Sequence, residues 1–117
     1  MGRKIAVLGP IPKDHIVTHR GDVLDKYGCA LYTTAALASL LGPDDVVRPI
    51  VHVRKADKPA ILEVLDRFDN VDVTGIMDHT DRGDVVELTF RDQNYRDEKQ
   101  VGFMHPINKD DVEFALD

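Results

Sequence analysis

Apolar positions along the chain change pattern near residue 80, and the change separates two kinds of structure. Ile5-Ala6-Val7-Leu8 is an unbroken apolar run between Arg3-Lys4 and Gly9-Pro10, the pattern of a strand buried on both faces in a parallel sheet. Val46–Val53 reads as a second core strand. Its Pro49 removes one ladder donor, which predicts a late start or an edge position. Between them, Gly28 to Gly42 carries no charged residue and is dominated by Ala and Leu. This predicts a helix from Cys29 to Leu41, capped by Gly42, stopped by Pro43 and buried on most sides. Asp57–Phe68 is amphipathic: Asp57 is the expected N-cap, Pro59 fits the first turn, and Ile61, Leu62, Leu65 and Phe68 form one stripe. Val71-Asp72-Val73 follows as a short strand. Strands alternating with helices imply crossovers and a mainly parallel sheet.

Beyond residue 80 the pattern alternates. Asp84–Phe90 is alternately apolar and polar, and Lys99–Met104 more loosely so, with polar Arg91–Glu98 between them. This predicts an antiparallel hairpin with one wet face, outside the main sheet. His15–His19 is a further short strand, Arg20-Gly21-Asp22 a turn, and Val23–Tyr27 the lead into the central helix. Asn108 caps a last helix through Leu116, with acids in its first turn. There is no internal repeat and no low-complexity segment.

At 117 residues the chain is one small domain. A net charge of -6 argues against binding a nucleic-acid backbone or an anionic membrane surface. The single cysteine excludes an intrachain disulfide and points to a reducing, cytoplasmic setting. The apolar run at Ile5–Leu8 is too short for a signal sequence, and no run approaches a membrane span.

Chemistry is thinly marked. The sequence has no G-x-G-x-x-G and no Walker motif. Asp14 falls just past the carboxyl end of the first strand, where open α/β sheets place ligands; spacing alone favours a solvated loop acid. His15 and His19 share a strand face but lie too far apart for one metal. Arg20-Gly21-Asp22 and Arg82-Gly83-Asp84 read as turns. Gly28, with no side-chain bulk beside the unpaired amides of a helix start, lets a ligand oxygen approach. Cys29 at that helix start is either a thiol of lowered pKa or a small buried residue. Lacking a partner base, it reads as the latter. Thr33, one turn on, offers its hydroxyl to a ligand or to a backbone carbonyl. The residues by themselves describe an α/β domain with a ligand niche and no reaction.

Three stretches taken in order resemble the N-terminal part of the ribokinase/PfkB family of carbohydrate kinases. They are Lys4-Ile5-Ala6-Val7-Leu8-Gly9-Pro10-Ile11-Pro12-Lys13-Asp14, then Tyr27-Gly28-Cys29 opening a helix that ends Leu40-Leu41-Gly42, then Val71-Asp72-Val73-Thr74-Gly75-Ile76 before a two-stranded excursion. The resemblance runs from about Lys4 to Leu116. It implies a partial doubly wound, mainly parallel sheet, with core 1–14, 28–76 and 105–117 and a small β-hairpin lid at 15–22 and 80–104. It implies ATP-dependent phosphoryl transfer, with magnesium, to a hydroxyl of a sugar or nucleoside. Asp14 would bond acceptor hydroxyls, Gly28 and Cys29 would line the hinge and pocket, and Thr33 would add a polar contact.

Two departures accompany the resemblance. The family's paired glycines are Gly28-Cys29 here, so the pocket gains a side chain. The family's C-terminal half, with its glycine-rich anion hole, catalytic Asp and nucleotide pocket, has no counterpart, and there is no G-x-G-D. The resemblance therefore implies the acceptor-binding side of a kinase, without catalytic, cofactor or metal residues of its own and inactive alone. It would be excised from a longer protein or completed by another chain. The alternative is a non-catalytic module that dimerises through the lid hairpin. A weaker third reading is a thiol protein using Cys29.

Overall fold

The computed structural model describes residues 2–116. Its elements are β1 (Lys4–Leu8), β2 (Lys13–Val17), β3 (Val23–Tyr27), α1 (Ala30–Leu40), β4 (Val46–His52), α2 (Lys58–Leu65), β5 (Ile76–Met77), β6 (Val85–Phe90), β7 (Arg96–Gly102) and α3 (Lys109–Leu116). They form two sheets. One is parallel, in the order β1-β4-β5; the other is mixed, in the order β3-β2-β6-β7.

The apolar run of β4 is the centre of the parallel sheet. Side chains of a strand alternate between its faces. Val47, Val51 and Val53 pack on one face with Ala30, Leu31 and Ala38 of α1 and with Ile61 and Leu65 of α2. Ile50 and Met77 pack on the other with Ala6, Ile107 and Val112. The Ile61–Leu65 stripe is buried as its periodicity predicts, and Leu62 and Phe68 flank it.

Pro49 does not place β4 at an edge. The strand starts at Val46 and is central. The amides of Val47, Val51 and Val53 donate to Asn70, Gly75 and Met77 respectively. Position 49 points to the same side, opposite the interval where the neighbouring chain loops away through Asp72–Thr74. The donor that proline lacks has no acceptor waiting there. The same loop breaks the expected strand Val71–Val73. Val71 makes one isolated parallel bridge with Val47, and the strand proper is Ile76–Met77. The Asp72 amide still donates to Val47 O at 2.9 Å, and its carboxylate is held by Arg48 at 2.7 Å and by the hydroxyl and amide of Thr74.

Several expected boundaries move. β1 is an edge strand, and Leu8 is 53% exposed rather than buried on both faces. α1 is not buried on most sides: Tyr32, Thr33, Ala36, Ser39 and Leu40 form an exposed face, because only the parallel sheet and α2 cover it. Gly42 does not cap it in a left-handed conformation. Leu41 turns extended, at φ -88° and ψ 162°. The Asp45 carboxylate then accepts from the Gly42 N–H at 2.9 Å, which makes an αL glycine unnecessary. Asp57 precedes α2 but does not cap it, since its carboxylate is engaged elsewhere. Asn108 does cap α3: Asp111 N–H donates to Asn108 Oδ1, and Asn108 N–H donates back to Asp111 Oδ2, both at 3.0 Å.

The second sheet is larger than the pattern indicated. Val23–Tyr27 is a strand antiparallel to β2, because its neighbours satisfy it despite a mostly exposed side-chain pattern. His19 lies outside β2, in the turn with Gly21 at φ 85°. β7 begins at Arg96, inside the supposed connection, so the reversal is the shorter segment closed by Arg91 N–H to Tyr95 O at 2.9 Å. β2 runs parallel to β6, with Asp14 opposite Val86 and Lys26.

Candidate functional site

Two crossings join the sheets, and the first carries the candidate residues. The chain leaves β1 through Gly9–Pro12 into β2 and returns from β3 through Gly28 into α1. Backbone bonds clamp the crossing: Gly28 N–H to Pro12 O at 3.2 Å and Ala30 N–H to Pro10 O at 2.9 Å. Leu31 and Thr33 amides donate to the carbonyls of Gly28 and Cys29. The expected niche of free amides is therefore not formed at these positions, because the outgoing chain at Pro10 and Pro12 and the first turn of the helix itself supply carbonyls to them.

What the crossing presents instead is a carboxylate. Asp14 is the second residue of β2, not a loop acid. It stands beside the buried Gly28: a Cβ placed on Gly28 would lie 3.4 Å from Asp14 Oδ2 and 3.3 Å from the ring of Tyr32. Asp14 makes no side-chain hydrogen bond among the described residues. Burial raises its pKa, and Glu98 across the sheet adds to this while Arg96 opposes it. Glycine at 28 keeps the space between the carboxylate and the Tyr32 ring open. A cleft of about 310 Å³ that shares Tyr32 with this space is lined by Asp25, Lys26, Tyr27, Leu31, Ala35 and Val64; Asp14 and Gly28 do not line it.

Cys29 is exposed, which corrects the expectation of a small buried residue. It sits at φ 48° and ψ -114°, a conformation that suits glycine and strains a residue with a Cβ. The tight return from β3 to α1 imposes it. Thr33 is also exposed, and its hydroxyl donates to Cys29 O at 3.4 Å. It lies one turn along α1 from Cys29.

Tyr32 and a part-buried triad were missed by the sequence reading. The Tyr27 hydroxyl donates to Asp57 Oδ1 at 2.9 Å, and Arg54 Nε donates to Asp57 Oδ2 at 2.6 Å. Burial alone would raise the Asp57 pKa, but Arg54 and Tyr27 outweigh it and hold it low. Burial and then the Asp57 bond push the Tyr27 phenol up to about 12. The triad fastens the end of β3 to the start of α2. The faint signal for Tyr32 was its place one turn after Gly28; nothing in the sequence joined Tyr27 to residues 54–57.

No protein-family model matches the chain, and no curated protein matches it. Solved structures do. A fructokinase from Halothermothrix orenii superposes with a TM-score of 0.73 at 19% identity, over 97% of this chain and 43% of that one. An uncharacterized sugar kinase from Pyrococcus horikoshii gives 0.71 at 16% identity, over 95% and 38%. The aminoimidazole riboside kinase of Salmonella enterica, solved with aminoimidazole riboside and an ATP analogue, gives 0.65 at 17%, over 93% and 35%. The chain thus spans less than half the length of the kinases it matches. Its parallel sheet, its second sheet and their connections make it a partial ribokinase-like α/β fold.

Proposed function

We propose that this chain is the acceptor-binding side of a ribokinase-type sugar or nucleoside kinase, with the second sheet as the lid over the acceptor. The observation that carries the reading is the Asp14 carboxylate, unpartnered among the described residues, beside Gly28 where the two sheets meet. A carboxylate is acceptor-only, and a polyol offers adjacent hydroxyl donors to it. The amides of Gly28, Ala30 and Leu31 are engaged, which favours a neutral hydroxylated ligand over an anion. The Tyr32 ring supplies an apolar wall for a sugar face. By analogy with the fold's solved kinases, the domain division is core 1–14, 28–76 and 105–117, with lid 15–22 and 80–104. The described strands would extend the lid to begin at Lys13 and include β3.

Magnesium-ATP belongs to the complete kinase in this reading. The residues present do not fit it: the sequence contains no G-x-G-D, and the start of α1 is closed by the carbonyls of Pro10 and Pro12. No phosphoryl-transfer step is derived for this chain. Its own contribution is to bind and orient the acceptor hydroxyl, which phosphoryl transfer needs alongside a positioned nucleotide. Among the described residues no helix is long and apolar enough to cross a membrane.

Calorimetric titration with a hexose, a pentose and a purine nucleoside tests the proposal. Binding of one class, lost in Asp14→Asn with the fold intact by circular dichroism, is the expected result. Silence toward all three overturns it. Silence combined with a stable dimer in sedimentation supports the non-catalytic module. The apolar side chains of Leu24, Val101 and Phe103, exposed on the strands and their exit, favour that second reading.

A further inference from the structure

The two faces of the second sheet are made of different residues. Paired residues of neighbouring strands share a face, and so do alternate residues of one strand. On one face the register lines up Asp25, His15, Glu87 and Lys99. His15 Nδ1 is 2.8 Å from Asp25 Oδ1, and this is a solvated, charged face. On the other face Asp14 stands between Lys26 and Val86, and the next rung is Leu24, Ile16 and Leu88. Phe90 follows on β6, with the Arg96 guanidinium 6.0 Å from its ring centre. The candidate carboxylate therefore lies on the apolar face of the sheet.

A cavity of about 510 Å³ lies over this face, a size ordinary for small-molecule sites. Ile16, Leu24 and Phe90 supply its apolar side chains, and Leu24 is 45% exposed. Its polar lining includes Arg20, Asp22, Lys26 and Gln93. β2 and β6 run parallel, so the reversals that follow them, with Arg20, Asp22 and Gln93, stand at the same end of the sheet. Lys26 stands toward the other end, opposite Asp14. Asp14 does not itself line the cavity. It precedes Ile16 by two residues, roughly 7 Å along the strand. The side chains of Arg20, Lys26 and Gln93 make no hydrogen bond or ion pair among the described residues.

We propose, resting on the acceptor reading above, that this cavity receives a flat heteroaromatic group attached to the acceptor's hydroxylated ring, and so selects a nucleoside over a free sugar. A sugar alone, bonded to Asp14, leaves Ile16, Leu24 and Phe90 in water. A base on that sugar covers them, and removing both apolar surfaces from water favours the bound state. The lining also decides against a phosphate in the base's place. An anion calls for donors only, and Asp22 sets a carboxylate in the same lining. A base edge carries both donors and acceptors. Arg20 and Lys26 donate, Asp22 accepts, and the Gln93 amide does both.

Calorimetric titration of the whole chain with adenosine, methyl β-D-riboside and ribose 5-phosphate tests the subsite. Adenosine is expected to bind about tenfold or more tighter than methyl riboside, the order that stacking a base on an aromatic side chain supplies. Leu24→Ser, at a half-exposed position, is expected to bring adenosine to the methyl riboside level and to leave methyl riboside unchanged. Phe90→Thr gives the same reading if Leu24→Ser does not fold by circular dichroism. Equal binding of adenosine and methyl riboside overturns the inference, as does tighter binding of ribose 5-phosphate or an adenosine preference that survives both substitutions. Equal binding of the two ribosides that Asp14→Asn abolishes removes the base subsite alone and leaves the acceptor reading standing. Adenosine binding that survives Asp14→Asn but falls in Leu24→Ser removes the role of Asp14 and supports the apolar subsite. Silence toward all three probes overturns both.

Discussion

The two sheets have opposite means of support. In β4 every position from Pro49 to His52 is buried, with helices on one side and the 105–112 segment on the other. In β7 six of seven positions are exposed, and Leu88 is the one hydrophobic side chain fully buried in the second sheet among its described residues. The first sheet is held by a core. The second is held by its backbone ladder, by Asp84 accepting from Gln100 and Met104, and by the Tyr27–Asp57 bond to the body. A layer without a core is set in place by what it abuts. The candidate site lies where the well-supported part meets the poorly supported one.

That contrast is easiest to break in the core. Ile61→Ala, at a fully buried position, is expected to cost about 2–5 kcal/mol in urea unfolding. Leu88→Ala should cost less than half as much. Equal losses would mean that the second sheet has a core of its own. Tyr27→Phe removes a bond between the second sheet and the start of α2 and is expected to cost about 0.5–1.5 kcal/mol. Its alkaline behaviour sharpens the point. The folded phenol titrates at about 12 against an ordinary 10.0, so its contribution is complete below pH 10 and lost as pH rises toward 12. Tyr27→Phe should flatten this part of the stability–pH profile.

Acid should act on the body through Asp45. The Arg3 amide and guanidinium and the Gly42 N–H hold its carboxyl down to about 2, against an ordinary 3.8. That contribution is present above 3.8 and lost as pH falls toward 2. Asp45→Asn should lower stability at neutral pH and show a weaker loss over that interval in acid unfolding. The smallest expected effect is at the crossing. Cys29→Gly relieves a left-handed side-chain conformation worth about 1–2 kcal/mol but adds unfolded-state freedom of about 0.5–1 kcal/mol. A net gain of about 1 kcal/mol or less in thermal unfolding is expected, and a clear loss would show that the thiol makes a contact of its own.

The sequence by itself determined the parallel body. Continuous apolar runs at β1 and β4 and the Ile61–Leu65 stripe have one favourable arrangement, because each must bury an apolar face and helices supply the cover. It also determined the Asn108 cap, a bond between residues three apart. Asp14 and Gly28 were expected to share one niche, an expectation that rested on the family resemblance and not on their spacing. Their approach depends on β2 and β3 pairing in a register that their polar, half-exposed side chains do not encode. The rest was decided by tertiary structure for the same reason. Pro49 is tolerated in a central strand because a distant loop leaves its donor position vacant. Gly42 needs no left-handed turn because Asp45 takes its amide, and the His52 ring meets His79 and His105 because three segments distant in sequence converge there. Local pattern specifies which face is apolar; long-range pairing selects the neighbours of polar groups, and polar groups carry the chemistry.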